Sequence, residues 1–116
     1  MGMSVPELAA RLEALGHETR LTIFRLLVRA GGEGMSVGAV QHHTELAAST
    51  LSHHLHKLIS VGLVSQRREG RTLYCCPEYP MLDEVLQFLR AECCVDADDG
   101  VLQTEEADRQ SPRSDP

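Results

Sequence analysis

The stretch Leu46–Leu58 reads LAASTLSHHLHKL, and its spacing decides how the rest of the chain is read. Leu51, Leu55 and Leu58 recur at i, i+4 and i+7, which is one stripe of a helix. Around them stand Ser49, Thr50, Ser52, His53, His56 and Lys57, all hydrogen-bond formers and none a carboxylate. An apolar back with an acid-free polar front suits a polyanion, and the major groove of DNA admits one α-helix. An ordinary solvated helix face more usually carries Glu and Lys. His54, beside Leu55 and Leu58, is read as part of the packed face.

Downstream, Gly62 closes that helix, and Leu63–Arg68 reads as a strand. Glu69-Gly70 is a turn, and Arg71–Cys76 is the return strand. Pro77 and Pro80 bound a loop, and Met81–Cys94 forms a last helix with Leu82, Val85, Leu86 and Leu89 as its stripe. Upstream, Glu45–Ala47 is a turn, Val37–Thr44 a short helix with Ser36 as its candidate N-cap, and Gly34–Ser36 a turn or short strand. Glu18–Ala30 is a nearly buried helix ended by Gly31-Gly32. Ser4, Pro6 and Glu7 open a first helix carrying Leu8, Leu12 and Leu15, and Gly16 ends it. The fold class is therefore mainly α with a small β-hairpin, in the order of a winged helix–turn–helix with helical flanks. One domain is expected over residues 1–94. Residues 95–116, acidic and poor in apolar side chains, read as a disordered tail.

The 116 residues suffice for one compact domain, with 42% hydrophobic content to build a core. No apolar run approaches the length of a membrane span, and no signal peptide is visible, so a soluble cytoplasmic protein is expected. In a reducing setting the four cysteines point to soft-ligand or redox chemistry rather than structural disulfides. The net charge of −6 argues against DNA only at first sight. Residues 1–80 hold eight basic and seven acidic side chains, whereas residues 91–116 hold two and eight. Between Leu46 and Cys76 the excess is basic, from Lys57, Arg67, Arg68 and Arg71 against Glu69. No nucleophile–base pair, phosphate loop or HExxH is visible, so no catalytic residue and no enzymatic activity is expected, nor any organic cofactor.

The segments HETRLTIFRLL, LAASTLSHHLHKLISVGLV and REGRTLYC together resemble the ArsR/SmtB family of metalloregulatory repressors, over roughly residues 5–94. The resemblance implies a homodimer that binds double-stranded operator DNA through a winged helix–turn–helix. It implies that Ser49, Thr50, Ser52, His53 and His56 face the groove, while Lys57 and Arg20 bond phosphate. It further implies that Arg67, Arg68 and Arg71 form a wing touching the backbone or minor groove, where the fork of arginine meets two phosphate oxygens. An edge hairpin kept soluble by charge is the plainer reading of the same arginines. Dimerisation is expected through the first and last helices. The two reading helices would then sit about 34 Å apart on an imperfect palindrome.

Thiolates select soft ions, and two adjacent cysteine pairs are harder to dismiss as buried hydrophobes than one lone cysteine. The family's Cys-Val-Cys arsenic box falls here on Ser36–Val40, which lacks cysteine, and its last-helix zinc site needs histidines that Met81–Cys94 lacks. What remains resembles the branch that senses arsenicals with a Cys-Cys pair at the end of the last helix, here Cys93-Cys94. Inorganic As(III) takes three thiolates, whereas methylarsenite, with one position held by carbon, takes two; antimonite is a further candidate. A third thiolate could come from Cys75 or Cys76, reached across a dimer. Two other readings stand beside this one. The same fold could be a thiol-based redox or sulfide sensor, or the chain could be a metal-binding module that does not act on DNA. His42-His43 reads as a polar helix end, and His17 as a cap-region residue.

Overall fold

The computed structural model describes residues 2–97. Helix α1 spans Val5–Leu15 and starts in a capping box: the Glu7 N–H donates to Ser4 Oγ (3.2 Å), and the Ser4 N–H donates to Glu7 Oε1 (2.9 Å). Helix α2, Glu18–Ala30, is capped by His17, whose Nδ1 accepts from the Thr19 N–H at 3.2 Å. A two-residue strand β1, Met35–Ser36, leads into α3, Val37–Thr44, which Ser36 caps through the Ala39 N–H. Glu45, at φ 60°, turns the chain toward α4, Ala48–Ser60. Strands β2, Val64–Glu69, and β3, Thr72–Pro77, follow, and α5, Tyr79–Arg90, closes the order. The architecture is a winged helix–turn–helix, as the element order in the sequence predicts.

The sheet is antiparallel in the order β1-β3-β2, with Val64 opposite Pro77, Gln66 opposite Cys75 and Arg67 opposite Tyr74. Its strands begin and end one residue later than the hydrophobic pattern predicts. Gly70, at φ 62°, carries the tight turn. Gly34, at φ 86°, is constrained on both counts: any Cβ there would meet the Cys75 carbonyl and lie 2.8 Å from Cys76 Sγ.

The core lies between α2, α3, α4 and the inner face of the hairpin. It comprises Ile23, Phe24 and Leu27 from α2, Val40 from α3, and Leu51, Leu55 and Leu58 from α4. Leu63, Val64 and Cys75 close it from the sheet side. Helix α1 packs on α2, α4 and α5, and Arg11 Nε donates to the Val61 carbonyl at 2.9 Å, tying α1 to the far end of α4.

The last helix departs from expectation at both ends. It begins at Tyr79, with Pro80 in its first turn, where the missing N–H would have had no helical partner. The Tyr79 hydroxyl donates to the Val28 carbonyl at 3.1 Å and pins this end to α2. It ends at Arg90 rather than Cys94: Ala91 turns extended, and Glu92 and Cys94 adopt φ of 64° and 66°. Cys93-Cys94 therefore sits on a run of turns beyond α5. The local sequence Cys-Cys-Val-Asp is composed of weak helix formers. The acidic stretch expected to be disordered lies, from residue 98 on, outside the described residues.

Candidate nucleic-acid interface and thiol site

Helix α4 buries one face and presents the other. Leu51, Leu55 and Leu58 are sealed in the core, whereas Ser49, Thr50, Ser52, His53 and His56 are all exposed. Ala47 supplies no side-chain cap, so the first-turn N–H groups of α4 are oriented to meet an outside acceptor. The exposed surface thus combines hydroxyl, imidazole and amide donors with no carboxylate on α4 itself.

Behind that surface lies His54, 8% exposed, as its position beside Leu55 and Leu58 predicts. Its ring lies 4.9 Å from that of His17 and 5.7 Å from that of His53. Its Nδ1 has no hydrogen-bond partner. Burial, and then the neighbouring His17, Arg20 and His53, hold its pKa below the ordinary imidazole value. The packed corner of α1, α2 and α4 thus disfavours protonation of the ring.

The basic residues expected to touch phosphate divide into two groups. Arg20 is not at the surface: it is 6% exposed, its Nε donates to the Ala14 carbonyl at 2.8 Å, and its Nη2 lies 3.7 Å from Glu13. It serves the α1–α2 corner, which corrects the phosphate role expected for it. Arg67 is likewise committed within the fold. Its guanidinium donates to the Glu33 carbonyl at 3.3–3.4 Å and to Glu69 at 3.2 Å, and stacks 4.8 Å over the Tyr74 ring. Lys57 is 40% exposed and lies 3.3 Å from Glu13 Oε1. Arg68 and Arg71 project from the tip of the hairpin and are exposed.

The four cysteines are reduced and fall into two environments. Opposed residues of an antiparallel pair share a face, so Cys75 lies on the core face with Gln66, and Cys76 on the opposite face with Ser65, under the Glu33–Gly34 loop. Cys75 is fully buried, and burial pushes its thiol pKa up, partly offset by Gln66 Nε2 at 3.7 Å. Cys76 is nearly buried and donates to the Glu33 carbonyl at 3.6 Å. Burial disfavours the thiolate of Cys75, the form that would hold a soft ion. Cys93 and Cys94 are both exposed, with sulfurs 3.3 Å apart. Two sulfurs on one ion with bonds of about 2.3 Å stand roughly 3.3–3.8 Å apart. Among the described residues no third Cys, His, Asp or Glu joins the pair within one chain.

Two residues important here are not legible in the sequence. Glu13 gathers Arg20 and Lys57, which lie seven and 44 positions away, and Glu33 anchors Arg67 from the loop before β1. Only folding brings these partners together, and no local spacing signals them.

The exposed reading helix, the turn before it and the paired strands after it define a winged helix–turn–helix DNA-binding protein. A family described as a helix-turn-helix domain matches residues 15–67. The chain is 40% identical over 91 residues to the nodulation protein NolR of Rhizobium meliloti, covering 78% of this chain and 70% of that protein. It is equally identical over 91 residues to the transcriptional regulator YgaV of Escherichia coli K12, covering 90% of that protein. The arsenical resistance operon repressor of Staphylococcus aureus is 32% identical over 87 residues, covering 75% of this chain and 81% of that protein. Among solved structures, an ArsR-like regulator from Rhodococcus sp. RHA1 shares the fold with a TM-score of 0.70 at 22% identity, over 88% of this chain and 92% of that one. A homodimeric winged helix-turn-helix domain from Mycobacterium bovis, a possible ArsR-family regulator, aligns with a TM-score of 0.59 at 28% identity, over 80% and 92% of the two chains. The chain belongs to the ArsR/SmtB family and is a DNA-binding transcriptional regulator.

Proposed function

We propose that the protein is a homodimeric repressor released from its operator by a trivalent arsenical bound at Cys93 and Cys94. The observation that carries this reading is the exposed pair of sulfurs 3.3 Å apart beyond α5. Each thiol would lose its proton to an As–OH group, which leaves as water while an As–S bond forms. Two such exchanges saturate a monomethylated arsenical, and that no third donor joins the pair among the described residues of one chain favours that species over arsenite. Antimonite is the further candidate. The kinship to an arsenical resistance operon repressor supports the signal class. A disulfide within the pair is disfavoured. Adjacent Cα atoms stand about 3.8 Å apart, short of the roughly 4.4–6.8 Å that disulfides span.

Residues through Cys94 would form the DNA-binding and dimerisation domain, with the acidic stretch an appended tail. Helices α1 and α5 expose Val5, Leu12, Leu86 and Leu89, an apolar face suited to a second copy, and the similar domain from M. bovis is homodimeric. Two α4 helices would then enter successive major grooves of an imperfect palindrome. Ser49, Thr50, Ser52, His53 and His56 would read bases, and Lys57, Arg68 and Arg71 would bond phosphate. The pair at the end of α5 adjoins the dimer face, so ligand there would bias the spacing of the two reading helices. A coupling of about 1–3 kcal/mol lowers occupancy roughly 5- to 150-fold. The test is binding to promoter DNA against random DNA at physiological salt, titrated with methylarsenite, As(III), Sb(III), Zn(II) and peroxide. Release by methylarsenite at the lowest concentration is expected. Release by peroxide alone would assign the signal to thiol oxidation, and equal affinity for both DNAs would refute the repressor reading.

A further inference from the structure

We propose that the cleft between α2 and the end of α3 is a second phosphate-contacting surface, which takes phosphodiester oxygens of the DNA flanking the segment read by α4. The proposal rests on the DNA-binding reading above and adds a surface to it. The cleft is a concave space of about 400 Å³ lined by Thr22, Arg25, Leu26, Arg29, His43 and Thr44. Three residues, Glu45–Ala47, separate it from the first turn of α4, so it borders the leading edge of the reading helix.

Three observations support it. Arg25 and Arg29 are spaced i, i+4 on one exposed helix face. Like charges so placed destabilise a helix by about 0.2–0.5 kcal/mol. Arg29 lies in the last turn of α2, where a cation complements the carbonyl end, but that does not explain Arg25. Next, among the described residues neither arginine forms an ion pair, whereas Arg20 and Arg67 each have acidic partners and Arg11 holds a carbonyl. The exposed acids closest in sequence, Glu18 and Glu33, form no ion pair with either guanidinium, and Glu33 lies against Arg67 instead.

The donor set also selects the ligand. The Thr22 and Thr44 hydroxyls donate to the Glu18 and Val40 carbonyls at 2.9 Å, so they offer acceptor lone pairs only. The donors facing outward are the two guanidinium forks and the His43 ring, and a fork matches two oxygens of one phosphate. Local sequence that works against its own helix, gathered at the edge of a DNA-binding surface, fits a site built for an anion.

The experiment compares the full-length chain with Arg25→Gln/Arg29→Gln, by fluorescence anisotropy at several salt concentrations. Two duplexes are used: one with long flanks, and one trimmed to the segment under α4 and the wing. Each phosphate neutralised adds about 0.9 to the slope of log affinity against log salt. The variant dimer is expected to lose roughly 2–4 from that slope on the long duplex and to match the parent on the trimmed one. Its melting temperature should stay level or rise, because a like-charge pair has gone. An unchanged slope on the long duplex overturns the proposal, as does a large fall in melting temperature, which would assign the arginines to packing. Inorganic phosphate or pyrophosphate raising the melting temperature of the parent alone, with slopes equal, would assign the cleft to a free anion and also overturn it. If the parent does not prefer its promoter, the repressor reading fails, and the slope comparison on random duplex still decides the cleft.

Discussion

Replacing His54 with leucine removes the one buried side-chain atom that lacks a partner among the described residues, at the back of the reading helix. The imidazole is 8% exposed, and burial together with His17, Arg20 and His53 lowers its pKa from 6.5. In the unfolded chain the ring takes up a proton as pH falls below that value, while in the fold it resists. Acidification therefore favours the unfolded state, and stability is lost as pH falls from 7.5 toward 5.5. The limiting case, a ring that takes up no proton in the fold across that window, removes about 1.4 kcal/mol, and one such site can remove no more. For a domain of this size that corresponds to a fall of roughly 6–11 °C in melting temperature. His54→Leu eliminates this contribution and relieves an orphaned polar atom worth about 1–3 kcal/mol. The variant should melt higher than the parent at pH 7.5, and the gap should widen at pH 5.5. Calorimetry at both pH values and one protein concentration measures this, and the other histidines cancel in the comparison. A variant less stable at pH 7.5, with a gap that does not grow on acidification, would refute the account of a neutral, unpartnered ring.

Glu13→Gln frees Lys57 from its carboxylate 3.3 Å away while leaving a side chain of similar size. Because Glu13 is well exposed, stability should change by less than about 1 kcal/mol. Operator affinity in low salt should rise several-fold, and equal or weaker binding would show that the ion pair does not compete with phosphate. Gly34→Ala forces a left-handed residue and a Cβ against the Cys75 carbonyl. A loss of at least about 2 kcal/mol in chemical denaturation is expected, and a loss under about 0.5 kcal/mol would contradict the packing described. The paired change Leu86→Asp/Leu89→Asp, at two exposed leucines of α5, should yield monomers in sedimentation and weaken operator binding at least tenfold. Dimers that persist would place the interface elsewhere.

The architecture was readable in the chain because its signals are local. The Leu51-Leu55-Leu58 stripe, the Ser4–Glu7 capping box and the Ser36 cap each act within one or two turns, and the structure carries all three. The burial of His54 followed from the same periodicity. What local sequence does not show is where distant partners decide. Arg20 reads as a surface cation until the end of α1 folds over it, and Arg67 reads as a free wing arginine until Glu33 arrives from another loop. The end of α5 was misplaced for a different reason. An apolar stripe says where a helix packs, not where it stops, and Cys93-Cys94 lies on turns beyond the last residue of the stripe. The wing cysteines could not be sorted by pattern, since a one-residue shift in register exchanges the faces of Cys75 and Cys76.

The central claim is that Cys93 and Cys94 set when DNA is released. It is tested most directly by titrating promoter-bound protein with methylarsenite, comparing the parent with Cys93→Ser/Cys94→Ser. The parent should release DNA with one arsenical bound per protomer. The variant should bind the promoter equally well, within about threefold, and stay bound across the titration. Release of the variant at the same methylarsenite concentration would contradict the account and move the switch to other residues.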